Sequence, residues 1–331
     1  MPAIQEFDKF FLTFPALHPE NDFDRFWKSA AADMKKITVD ADIKINNTRS
    51  SARFEVSDIH FKSIEKVSVH GILYLPRHTE KPKPVIIIHD YNKVDPYKGY
   101  GLDESMAYFF LHLRGHDALP HTVAIPNASG QKNIQVKTAQ RKQEHVLPGY
   151  MAEGITEPEN CYIKKVYSDA LRSIDLLRLN RKLDCSSIGI IGKGVGAAAA
   201  LYCAASSDRI KALVLDSPAF VHLDEWINHS SSDIAAEITD FIGSNPSRRN
   251  AVKRSLSYFD ALNFSEKIEC ETLMSVGLKD TNSPAQCSFA LFNHLLCEKT
   301  AEIYPDDGNE AGAEKQFKKT LIWIKNTLQR V

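Results

Sequence analysis

An α/β fold, with a mostly parallel central sheet and helices on both faces, is what this sequence predicts, and three observations predict it. The run PVIIIHD (residues 84–90) is apolar and rich in β-branched residues, as a parallel strand buried on both faces must be. From about residue 162 to the end, segments of strand and helix periodicity alternate. No internal repeat, low-complexity tract or Gly/Ser linker divides the 331 residues, so one large domain is expected.

Each element has its own signal. Residues 22–37 space Phe23, Phe26, Trp27, Ala30 and Met34 along one helical face, within an N-terminal extension reaching to about residue 40. ARFEVSDIHF and VSVHGILYLP alternate or run apolar, as paired antiparallel strands do. After PVIIIHD we expect a helix over residues 105–113 and a strand over 122–125. Residues 127–160 are polar, irregular and partly basic, which reads as a solvated loop rather than a partner site. A helix over 162–179 follows, then strand 188–191, helix 195–205 and strand 212–216. A helical excursion over about 218–256 comes next. Strand TLMSVG, helix AQCSFALFNHLL, strand AEIYP and a closing helix EKQFKKTLIWIKNTL complete the chain.

The balance of 41 Lys plus Arg against 42 Asp plus Glu offers nothing to nucleic acid or an anionic membrane. No window has the apolar length of a membrane span, and the first twenty residues lack the pattern of a signal peptide. Six scattered cysteines without CxxC spacing read as reduced thiols, not a disulfide framework or zinc site. A cytoplasmic protein is expected. No His/Cys/Asp/Glu set stands at metal spacing, and no cofactor is expected.

The candidate site is the stretch SSIGIIGKGVGAAAALYCAAS (residues 186–206), where a strand ends in three alternate glycines and a small-residue helix begins. GKGVGA, with Asp216 at the next strand end, fits a dinucleotide turn, phosphate on the helix N-terminus and acid on a ribose. The same residues fit the strand-turn-helix elbow G-x-S-x-G, with Gly192 and Gly196 as flanks and Gly194 at the nucleophile. Glycine suits the backbone of that turn but has no lone pair with which to attack a carbonyl.

Context separates the two. DFDRFW, GILYLP, PGYMAEGI, YIKKVYSDALRSID, SYFDALNF and SVGLKD, spread over nearly the whole chain, resemble the acetyl xylan esterase and cephalosporin C deacetylase family of carbohydrate esterases. The resemblance implies an α/β-hydrolase fold, a Ser-Asp-His triad in that chain order, deacetylation of small acetylated sugars, and a cytoplasmic ring-shaped hexamer. It places the nucleophile on Gly194, the triad acid on Asp280 and the triad histidine on Asn309, with Glu310 beside it. The two oxyanion-hole amides fall on Tyr91, in HDYN, and Val195. A family glycine is replaced by Asp90, whose carboxylate would oppose a developing negative charge if it faced the site. The family's Arg-Gly-Gln falls on Asn127, Ala128 and Ser129.

Serine without a histidine base is a poor nucleophile, and histidine without serine has nothing to activate. The expectation is therefore an esterase-like protein that has lost its chemistry and keeps a binding or structural role, with a carbohydrate-like ligand in the vestigial pocket or a protein partner. Its rivals are an active deacetylase with an unconventional nucleophile and a dinucleotide-binding protein. Ser217 reads as a turn residue, Lys193 as an exposed lysine or phosphate contact, Lys279 as a surface lysine. His89, His222 and His294 read as framework hydrogen-bonding groups.

Overall fold

In the computed structural model, residues 8–91, 101–116 and 149–331 are described. They form a nine-stranded sheet in the order β1-β2-β3-β5-β4-β6-β7-β8-β9. Strands β1 (Asp42–Ile45), β2 (Phe54–Lys62) and β3 (Ser68–Pro76) make an antiparallel edge, joined antiparallel to β5 (Met106–Leu111). Strands β4 (Lys83–Ile88), β6 (Ile188–Lys193), β7 (Ile210–Asp216), β8 (Glu271–Gly277) and β9 (Lys299–Tyr304) run parallel to β5 and to one another. The chain is an α/β-hydrolase fold with a mostly parallel sheet.

Residues Val85 to Ile88 of β4 are each wholly buried, because helices cover both faces of the sheet there. One face packs against α1 (Phe23–Lys35), α2 (Tyr162–Arg178) and α3 (Val195–Ser206). On the other, Phe317, Leu321, Ile324 and Leu328 of the closing helix α8 (Ala313–Arg330) cover Val85, Ile87, Ile191 and Val214. The excursion is three helices, α4 (Leu223–His229), α5 (Asp233–Ser244) and α6 (Arg249–Ser257), and α7 (Ala285–His294) lies between β8 and β9.

One element departs from expectation. The helix expected over residues 105–113 is strand β5, buried along its whole length between β3 and β4. A short run that is apolar on every side has no period to distinguish strand from helix, and the aromatic pair Tyr108–Phe109 belongs to a central strand. The expected strand over 122–125 lies outside the described residues, as do Asn127, Ala128 and Ser129 and most of the basic loop. The loop's last part, residues 149–160, carries two single 3-10 turns, Tyr150–Ala152 and Pro158–Asn160. All six cysteines are free thiols. No described helix is long and apolar enough to cross a membrane.

Candidate functional site

The elbow is built where β6 meets α3. Gly194 joins them with φ 57° and ψ −121°, a conformation that costs a side-chain-bearing residue strain and costs glycine little. A Cβ on Gly196 would come 2.4 Å from the Ile88 carbonyl oxygen, so the flank is glycine because strand and helix backbones touch. Gly194 is different. A Cβ there would meet a side chain, 2.0 Å from Oδ1 and 2.1 Å from Cγ of Asp90.

Asp90 thus fills the space that a side chain at 194 would need. Its Oδ1 accepts hydrogen bonds from the Tyr91 amide at 2.8 Å and the Val195 amide at 3.0 Å. These are the two backbone donors that the family resemblance assigns to an oxyanion hole. They do converge on one point, and a carboxylate oxygen of the chain itself sits at that point. Donors that would stabilise charge developing on a substrate are already satisfied by a fixed negative charge.

The Tyr91 side of this arrangement is anchored from the excursion. The Tyr91 hydroxyl donates to both oxygens of Glu237 on α5, each at 3.0 Å. Glu237 also accepts from the Gly149 amide at 3.0 Å and the Met151 amide at 2.9 Å. Burial pushes the Glu237 carboxyl above its usual range, and the two amides and the phenol work against that push. Burial, then the Glu237 charge, holds the Tyr91 phenol far above its ordinary value. Neither Glu237 nor this clasp was visible in the sequence; its signal, an acid on the buried side of an excursion helix, is recognisable only afterwards.

Asp280 follows β8 in a turn whose amides it caps. Its Oδ1 accepts from Asn282 N at 2.8 Å and Ser283 N at 2.9 Å, while its Oδ2 is buried with no hydrogen-bond partner. Burial raises its pKa, against the opposing pull of those amides, Lys193 and Ser217. Asn309 is held by its backbone, whose carbonyl accepts from Lys193 Nζ at 2.7 Å and Ser217 Oγ at 3.2 Å. Its side-chain Nδ2 is buried and unpartnered, so no hydrogen bond joins Asn309 to Asp280. Ser217 ties the two loops together: its hydroxyl reaches Asn309 and its carbonyl accepts from Ser283 Oγ at 2.9 Å. Its φ of 44° places it in the left-handed region that such a sharp strand exit imposes.

Other sequence candidates are settled by their neighbours. Lys193 is neither exposed nor available to a phosphate. It is buried, and its ammonium pairs with Asp216 at 3.0 Å, because the two stand in register on adjacent parallel strands. Asp216 also accepts from Ser275 Oγ at 2.6 Å. A pyrophosphate at this turn would have to displace Asp90 from the Val195 amide, and a ribose would compete with Lys193 and Ser275 for Asp216. The dinucleotide reading therefore finds its two anchor points occupied.

The histidines divide. His294 Nε2 donates to the Pro15 carbonyl at 2.8 Å and its ring stacks on Phe14, a framework role. His89 is not a hydrogen-bonding framework group: both ring nitrogens are buried without partners, and burial, then His112, lowers its pKa to about 3. His222 starts α4 at φ 53°, with its backbone amide bound to Asp260. Lys279 is exposed and pairs with Asp306. Among the described residues, no group of three or more His, Cys, Asp or Glu is placed to hold a metal ion.

Comparison with known proteins agrees with the fold and the landmarks. The sequence model of the acetyl xylan esterase (AXE1) family matches residues 11–327. The acetyl esterase Axe7A of Xylanibacter ruminicola is 23% identical over 318 residues, 93% of this chain and 67% of that protein. The structure of the acetyl xylan esterase from Paenibacillus sp. R4 superposes with a TM-score of 0.80 at 25% identity, covering 97% of this chain and 99% of that one. Acetyl xylan esterase 1 from Thermoanaerobacterium sp. gives 0.76 at 20% identity, covering 96% and 98%. With its elbow, its strand-end acid and a match that runs through almost every element, this chain belongs to the acetyl xylan esterase family.

Proposed function

We propose that this protein is a member of the acetyl esterase family that does not hydrolyse esters and that its elbow is kept for structure rather than for reaction. The observation that carries the reading is Asp90, whose Oδ1 accepts from both Tyr91 N and Val195 N and whose carboxyl group fills the Cβ position of residue 194. Three requirements of acyl transfer are missing together. Gly194 offers no nucleophile, Asn309 carries an amide rather than an imidazole base, and the oxyanion site is taken. The Ser217 hydroxyl, the alternative nucleophile, donates to the Asn309 carbonyl and has no imidazole partner among the described residues.

The test is turnover of p-nitrophenyl acetate by the purified protein and three engineered forms. Wild type is expected at the buffer rate. Gly194→Ser with Asn309→His is expected to stay there, because Asp90 still holds the hole. Adding Asp90→Gly to that pair is expected to raise the rate by about 10²-fold or more, the weight of freed oxyanion donors. Wild-type turnover that follows the protein through every purification step and disappears in Ser217→Ala sinks the proposal in favour of an unconventional esterase.

A further inference from the structure

Away from the elbow, a cavity of about 510 Å³ lies among α4, α5, α6 and the turn after α6. None of Asp90, Tyr91, Gly194, Val195, Asp280 or Asn309 lines it. Its accessible apolar lining comes from Ala16, Ile227 and Ile242, laid over the buried side chains of Leu223, Val252, Leu256 and Leu262. Its two acids are already engaged. Asp224 pairs with Lys253 at 2.9 Å, and Asp260 accepts from the amides of His222 at 2.9 Å, Leu223 at 2.8 Å and Leu262 at 3.0 Å. Those three bonds also fix the wall in place, including the left-handed His222.

Four side chains around the cavity make no hydrogen bond or ion pair with any described residue: the exposed Arg249 guanidinium, His18 ring and Asn228 amide, and the half-buried His222 ring, which faces the Asp260 carboxyl. A guanidinium and an imidazole beside an apolar lining match a ligand with an anionic head and an apolar body. The Asp224 carboxylate beside Lys253 disfavours a doubly charged head such as a phosphate monoester. We infer that this cavity is a binding site for a small monocarboxylate carrying a compact aliphatic or aromatic body, its carboxylate on Arg249 and its body against Ile227 and Ile242.

The test is calorimetric titration of the full chain with octanoate and, separately, with octan-1-ol as its uncharged counterpart. Wild type is expected to bind octanoate saturably at one site. Arg249→Gln is expected to weaken octanoate by about tenfold or more, the contribution of a charge-assisted bond, and to leave octanol unchanged. Gly243 lines the cavity, and a Cβ there meets nothing within 4 Å, so Gly243→Trp fills the space and is expected to remove both ligands. No saturation by wild type into the millimolar range overturns the proposal. So does octanoate binding that survives both substitutions, which would place it elsewhere on the molecule. If Gly243→Trp fails to fold, the octanoate-to-octanol contrast in Arg249→Gln decides alone.

Discussion

Two glycines separate the elbow from the cavity under α4–α6. A methyl group on Gly194 would collide with a carboxylate at 2.0 Å, whereas one on Gly243 would meet nothing within 4 Å. At the elbow the chain satisfies its own donors: Asp90 caps the two amides, and Lys193, Ser217 and Asn309 close on one another. At the cavity the acids are engaged but a guanidinium, two imidazoles and an amide have no partner in the chain. Retention of a fold's landmarks therefore says little about where a ligand goes. Polar groups already bonded within the chain have nothing more to give, and the informative places are those with groups left unbonded.

Substitutions can break or sharpen this contrast. The largest effect is expected from Gly194→Ala, which combines an unfavourable φ with the clash against Asp90 and should cost about 3 kcal/mol or more in chemical denaturation. In an Asp90→Gly background the same change should cost at least about 1 kcal/mol less, since the clash is gone and only the backbone strain remains. Equal costs in both backgrounds would mean that Asp90 does not hold the space. Glu237→Ala comes next: it strands the Tyr91 hydroxyl and the Gly149 and Met151 amides, and a loss of about 2–4 kcal/mol is expected by urea titration.

The next effect is absent at neutral pH and appears only in acid. His89 is buried neutral, with a folded pKa of about 3 against an ordinary 6.5. The unfolded chain therefore takes up the proton first. The stability owed to this neutral burial is whole above about pH 6.5 and is lost as pH falls toward 3, by about 1.4 kcal/mol per pH unit. His89→Phe, which keeps a ring against Phe110, should remove that slope, read from denaturation midpoints across this range. An unchanged slope would place the acid sensitivity on other groups. Smallest of all, Gly243→Ala should stabilise the protein by about 0.5 kcal/mol, by helix propensity with no steric penalty; a destabilisation by thermal melting would mean the space beside it is not open.

Much of the architecture could be read from the residues because most elements carry a period or a boundary. PVIIIHD, the amphipathic α8 and the glycine turn each announced themselves. Strand β5 did not, because a run buried on both faces has no polar side. Lys193 was misjudged for a related reason. Alone it looks like a turn lysine, and only the parallel register that sets it beside Asp216 makes burial possible. Asp90 was visible as an odd residue beside a presumed hole, but its direction was not, since a side-chain rotamer is set by what surrounds it. The Glu237 clasp and the cavity were invisible, because both depend on how the excursion helices fold back over residues far away in the chain.

The overlap between Asp90 and the side-chain position of residue 194 also fixes an order of events. A serine installed at 194 first must displace the Asp90 carboxylate from the Tyr91 and Val195 amides, whereas a change at 90 made first leaves the space open. A random library diversified at 194 alone carries that displacement in every variant with a side chain. Releasing position 90 first removes it, and selection for hydrolysis can then act directly on residue 194.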